Sequence, residues 1–122
     1  MSNITLKTLE SFSPQEVFEY ISTRLIKQNK RCADKADFCM YRDGDLRCAA
    51  GFVIADDEYD AKTMETSEWL NLVAENIVPA AHSDLIASLQ YIHDSYSPGT
   101  WGGELAKYGI YNGLNTSFLN EE

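Results

Sequence analysis

At 122 residues, with 44% apolar and 24% charged side chains, the chain is long enough to bury roughly two thirds of its unfolded surface as one domain without disulfide or metal staples. That composition excludes disorder, because disordered chains are poorer in apolar residues. The net charge of −9 is uneven: up to Arg47 there are eight Lys/Arg against seven Asp/Glu, and from Cys48 onward two against twelve, a balance that repels phosphates and argues against direct nucleic acid binding.

The chain reads as a single domain over 1–122, with an N-terminal segment over 1–12 and a frayed polar tail over 115–122. Met1-Ser2-Asn3-Ile4-Thr5 lacks a basic region and an apolar signal stretch, and no apolar run is long enough for a span, so neither secretion nor membrane insertion is expected. Cys32, Cys39 and Cys48 are an odd set for a disulfide framework and fit a reducing cytoplasm.

The first strong element is Phe12-Ser13-Pro14-Gln15-Glu16-Val17. Ser13 is placed to cap, Pro14 suits the first helical position, Glu16 completes a capping box, and Phe12 with Val17 forms a hydrophobic staple. Val17, Tyr20, Ile21 and Leu25 recur at helical spacing, and Lys27, Lys30 and Arg31 stand where the helix dipole favours cations, which predicts a helix from Pro14 to about Asn29.

A β-hairpin is expected near 38–54, because Asp43-Gly44 separates two apolar runs. With Asp43-Gly44 as a two-residue turn, Cys39 falls opposite Cys48. A three-residue loop places Met40 there instead. Alternation then puts Leu46, Cys48, Ala50, Phe52 and Ile54 on one face, with Cys48 in the core.

Three further helices are predicted. One is capped by Thr66 or Ser67, carries Trp69, Leu70, Leu72, Val73 and Ile77, and ends at Pro79. The next opens at Ser83-Asp84 with Leu85, Ile86, Leu89, Ile92 and His93 as its apolar stripe. The last runs from Thr100 or Trp101 to Tyr108, with Gly109 as its left-handed C-cap. The fold class is therefore α+β: a mainly helical domain of about four helices with one hairpin.

The stretch Cys39-Met40-Tyr41-Arg42-Asp43-Gly44-Asp45-Leu46-Arg47-Cys48-Ala49-Ala50-Gly51-Phe52-Val53-Ile54-Ala55-Asp56-Asp57-Glu58-Tyr59, followed by Leu89-Gln90-Tyr91-Ile92-His93-Asp94, Trp101 and Tyr108-Gly109, resembles the signature of a group of small phage and prophage proteins. That signature reads C-x-Y-R, a Gly-containing turn, then K/R-C-A-x-G-x-x-I-P-D-x-x-Y. The chain departs from it at Ala55, where the pattern has proline. The resemblance implies no activity. It implies a phage origin, and hence an accessory protein acting in the cytoplasm of a bacterial host.

Several residues are of types that carry chemistry. Cys39, Cys48, His82 and His93 are the right types for zinc but lack the short paired spacings of structural sites, so no metal or cofactor is expected. Cys48 with His93 and Asp94 has the residue types of a thiol enzyme. Arg42 is a possible anion-binding residue, with an internal ion pair to Asp45 or Asp57 as the favoured alternative. The dense acidic run Asp56, Asp57, Glu58, Tyr59, Asp60 is the expected partner-binding segment, because its field suits a basic patch and Tyr59 is of a type enriched at hot spots.

The expected function is a non-enzymatic, phage-type accessory protein that binds and modulates a host protein bearing a basic patch, such as a component of host defence. The alternatives are a binder of a small anionic metabolite or nucleotide, and a small cysteine-dependent enzyme.

Overall fold

The computed structural model describes residues 3–36 and 38–120, so positions 1 and 2 of the N-terminal segment and 121 and 122 of the expected tail lie outside the described residues. The architecture is α+β, with a two-stranded antiparallel hairpin and, among the described residues, five α-helices: α1 (Pro14–Gln28), α2 (Ala61–Met64), α3 (Trp69–Ala74), α4 (Ser83–Ser95) and α5 (Trp101–Tyr111). No helix among the described residues is long and apolar enough to cross a membrane.

α1 forms where its start signals place it. The Ser13 hydroxyl accepts from Glu16 N and the Glu16 carboxylate accepts from Ser13 N, a complete capping box. Asn29 ends the helix in the left-handed region, which Asn tolerates better than most residues. The apolar stripe Val17, Phe18, Ile21, Leu25 is fully buried.

The hairpin is much shorter than expected, with β1 at Arg42–Asp43 and β2 at Leu46–Arg47, and its register pairs Arg42 with Arg47 and Asp43 with Leu46. The turn residues are Gly44-Asp45, not Asp43-Gly44. Gly44 has φ +60° while Asp45 stays out of the left-handed region, the arrangement of a two-residue turn that wants glycine first. Cys48 N therefore donates to Tyr41 O, so Cys48 stands opposite neither Cys39 nor Met40. After Arg47 the chain does not continue as a strand. Residues 50–53 wind into a single 3₁₀ turn that buries Ala50 and Val53 while Phe52 stays half-exposed. Gly51 makes this possible, since a Cβ there would lie 2.1 Å from Tyr41 O.

α4 is the centre of the molecule, in contact with α1, α3, α5 and the 50–53 turn. Its Leu85, Ile86, Leu89, Ile92 and His93 are buried, as the stripe predicted. Its N-cap is His82, in the left-handed region at φ 57°, and His82 donates through Nε2 to Phe12 O at 2.7 Å. α3 has Glu68 at its N-cap position, with no capping bond from that side chain, and ends at Ala74, later in start and earlier in finish than its apolar pattern suggests.

α5 runs through Gly109 to Tyr111, so Gly109 is not the C-cap. The left-handed glycine is Gly113 at φ +73°, and Leu114 N closes the helix end onto Gly109 O at 2.8 Å. Gly109 instead permits close packing, since a Cβ there would lie 2.9 Å from Phe18 Cζ and 2.4 Å from Thr116 Cγ2. The described part of the tail contacts α1. Gln15 grips the Asn115 backbone on both sides, at 2.8 and 2.9 Å, and Phe118 packs edge-on against Phe18.

Candidate functional site

Most of the acidic run over 56–60 makes contacts within the chain, while Asp56, Asp57 and Asp60 stay exposed. Asp56, at the start of a 3₁₀ turn, accepts from Arg42 Nη1 at 2.8 Å and lies 3.9 Å from Arg47 Nη2. It thereby offsets the like charges that the hairpin register sets side by side. The Glu58 carboxylate accepts from the backbone N–H groups of Leu6, Lys7 and Ala55. Tyr59 donates its hydroxyl to Glu65, and Asp60 caps α2 by accepting from Lys62 N. Of the five, only Asp57 makes no side-chain hydrogen bond or ion pair among the described residues.

Arg42 is likewise engaged within the chain. Its guanidinium donates to Asp56 and to Ile54 O at 2.9 Å and stands over the Tyr59 ring at 4.7 Å. The internal ion pair thus exists, with Asp56 in place of Asp45 or Asp57, because the turn carries Asp45 away from Arg42 and the 3₁₀ turn presents Asp56 to it. An anion approaching this guanidinium meets the Asp56 carboxylate already paired with it.

A different surface feature is built by residues far apart in sequence. Between the 39–41 segment, the start of α3 and the outer face of α4 lies a groove of about 270 Å³, below the usual volume range of small-molecule pockets, roughly 300–1,000 Å³. Its lining includes Glu65, Glu68, Trp69, Tyr91 and Asp94, and no lysine, arginine or histidine. It adjoins a shallower depression between α3, α4 and α5, in which Tyr96, Tyr108 and Tyr111 are joined by Leu70 and Tyr91, common to both. Leu70, Tyr91 and Tyr111 are 50%, 63% and 90% exposed, so the surface combines aromatic area with the carboxylates of the groove, while in the depression Lys107 lies 3.4 Å from Glu104.

The three carboxylates of the groove differ in their commitments. Glu65 accepts from Tyr41 N, Arg42 N and the Tyr59 hydroxyl, which fixes the hairpin to the chain beyond α2. Asp94 accepts from Gln90 Nε2 and His93 Nδ1, both on Oδ1, which leaves Oδ2 uncommitted among the described residues. Glu68 makes no side-chain bond among the described residues and is exposed.

His93 is buried and stacked on Trp101 at 5.4 Å between ring centroids. Cys32 N donates to its Nε2 at 2.9 Å, so Nε2 is the unprotonated nitrogen and Nδ1 carries the hydrogen donated to Asp94. This assignment decides two chemical questions. Cys39, His93 and Asp94 bring ligand atoms within 4.8 Å of one another, the one such group among the described residues. A metal on Nδ1, however, would force the proton to Nε2, against the Cys32 N–H. The donor set does not fit a metal. Nor does His93 have a free lone pair to activate a thiol.

The cysteines are consistent with that. No disulfide joins the three cysteines among the described residues; Cys32 and Cys48 are buried and Cys39 is exposed at the groove. Burial pushes the Cys32 thiol up to about 12 and raises Cys48 well above its ordinary value, although Cys48 accepts from Gly51 N. Thiols shifted in that direction are poor nucleophiles.

The fold and the groove define a small α+β domain whose most distinctive surface is an aromatic, acid-lined cleft. Comparison with family models, with curated proteins and with solved structures returned no match.

Proposed function

We propose that the protein is a non-enzymatic accessory protein of phage type that binds a host protein through a cationic patch on that partner and so modulates it. The single observation that carries this reading is the groove at the start of α3, which sets three carboxylates and a partly exposed tyrosine together without a lysine or arginine in its lining. Charge left uncompensated at an aromatic surface favours a cationic partner and steers its approach. Four of the residues in the 56–60 run have work inside the fold, so the groove is the better seat for the contact and Asp57 the part of that run still available.

The other two readings are weaker. An anionic metabolite or nucleotide would meet Arg42 already paired with Asp56. A cysteine enzyme would need a thiolate, and burial holds the Cys32 and Cys48 thiols protonated. A component of host defence remains the class of target that the phage resemblance suggests.

Affinity capture from bacterial cytoplasm expressing the tagged chain, with elution in salt steps, tests the proposal. A stoichiometric host protein with a basic surface, released as salt rises from about 0.1 to 0.5 M, is the expected result. Capture of no stoichiometric protein, or of one whose retention is indifferent to salt, would count against it.

A further inference from the structure

We infer that the groove is the anchor point for one arginine side chain of the partner, gripped between Glu68 and Asp94 and stacked on Tyr91. This rests on the protein-binding reading above and adds to it the residue that is recognised and the residues that recognise it.

Size comes first. At about 270 Å³ the groove is small for a metabolite, and a single long side chain with its neighbouring backbone is a better match. Charge complementarity then selects a cation, since every ionisable group with a formal charge in the lining is a carboxylate. Glu65 already accepts from three donors. Glu68 and Asp94 Oδ2 are the acceptors left over, and both belong to residues that reach solvent.

Arginine fits this better than lysine. Its planar fork can donate to two carboxylates at once and lie flat on an aromatic ring, whereas an ammonium is a point charge. The chain itself uses that stacking twice, with Arg24 3.4 Å above Tyr20 and Arg42 4.7 Å above Tyr59. Tyr91 is 63% exposed and offers the same kind of ring with no cation on it among the described residues. Trp69 also lines the groove, and its indole Nε1 is buried without a hydrogen-bond partner among the described residues, so its indole N–H resonance reports on binding there.

The probe for the test is N-acetyl-arginine-N-methylamide, titrated into ¹⁵N-labelled protein, with the neutral citrulline analogue and the lysine analogue alongside. The arginine probe should shift the amides of Glu68, Gln90 and Tyr91 and the indole N–H of Trp69 along one saturable curve. Glu68→Gln and Asp94→Asn should each weaken it about threefold to fivefold, the scale of one lost exposed charge contact. Citrulline should leave those resonances unmoved, and lysine should bind more weakly than arginine. Equal response to citrulline, no saturable shift at the groove, or unchanged binding by both variants would overturn the assignment. Lysine binding as tightly as arginine would overturn the choice of residue. Glu68→Gln touches a side chain with no bonds to lose, so it should fold as the parent does. A captured partner that binds both variants as it binds the parent would sink the anchor and leave the protein-binding reading standing. Arginine binding at the groove without any captured partner would do the reverse.

Discussion

Replacing Glu65 with glutamine keeps the shape of the side chain but changes what it can accept. In the structure its two oxygens take the backbone N–H groups of Tyr41 at 3.0 Å and Arg42 at 3.2 Å, together with the Tyr59 hydroxyl. These three bonds join the first hairpin strand to the chain beyond α2. A glutamine can still accept on one side, but its amide presents a donor to the other. The Tyr59 hydroxyl can rotate to accept from that amide. The Arg42 N–H cannot, and is left facing a donor. Hydrogen bonds to charged groups are worth about 1.5–3 kcal/mol, and leaving a partly buried donor unsatisfied costs about 1–3 kcal/mol. With some relief from solvent at half-buried Arg42, Glu65→Gln should lower stability by about 2–3 kcal/mol, and Glu65→Ala by about 3–5 kcal/mol. For a chain of this size, that corresponds to a fall in Tm of roughly 8–12 °C for glutamine. Calorimetry or denaturant melts followed by circular dichroism would measure it, with Tyr59→Phe as the comparison, since it removes only the hydroxyl and should cost about 1 kcal/mol. A glutamine variant within about 0.5 kcal/mol of the parent would refute the role given to this carboxylate.

Ser13→Ala should cost about 1 kcal/mol through loss of the capping box, read as a lower denaturant midpoint at unchanged m value. Gly51→Ala, which pushes a methyl into Tyr41 O, should cost more, about 2–3 kcal/mol, measured in the same way; a neutral effect would show that the 50–53 turn is wrongly described. Stability should fall as pH rises above about 8.5: burial pushes Cys32 up to about 12 and raises Cys48 and Tyr41, so the folded chain keeps protons that unfolded thiols and phenols, with pKa near 8.5 and 10, give up. Unfolding free energy measured from pH 7 to 10 checks this, and a flat profile would contradict it. With a thiol reagent under native conditions, Cys39 should react first and Cys32 and Cys48 only on unfolding; equal rates for all three would be incompatible with their burial.

How far the fold was legible depended on whether its signals were local. α1 was readable because Ser13, Pro14 and Glu16 act within one turn of each other, and α4 because its stripe recurs over thirteen residues. The hairpin's location was readable from Asp43-Gly44-Asp45, but its register was not. A glycine can serve either central position of a two-residue turn, and moving the turn by one residue changes every pairing. The short apolar run from Leu46 to Ile54 fits a strand and a compact turn equally well, and the contact of Gly51 with Tyr41 O decides between them. α2 was missed because it is a single turn whose one signal is the Asp60 cap. Gly109 and Gly113 are both plausible helix terminators. Only the packing of Phe18 and Thr116 against Gly109 shows that it serves contact rather than termination.

The groove was less legible than the fold. Glu65, Glu68 and Asp94 belong to the acidic surplus beyond Cys48, but so do the carboxylates of the 56–60 run, and local density singled out the run. Its density has a structural cause: Asp56, Glu58 and Asp60 serve an arginine pair, three backbone amides and a helix start. Carboxylates left without such duties could be found only from the fold, which packs α3 against α4 and so joins residues about twenty or more apart in sequence.

The most direct test of the central claim compares two triple variants in binding to a captured partner. Glu68→Gln, Asp84→Asn, Asp94→Asn and Asp56→Asn, Asp57→Asn, Asp60→Asn each remove three negative charges, so both leave the same net charge and weaken the field at different faces; a native circular dichroism spectrum and melt of each variant come first, because Asp94, Asp56 and Asp60 also bond within the chain. Asp84 lines the depression adjoining the groove. Association rates measured from low to high salt should be slower for the first variant at low salt, with the deficit shrinking as ions screen the charges, while the second stays close to the parent. Equal rates for the first variant and the parent at low salt, or a deficit confined to the second, would contradict the claim that the partner is met at the groove.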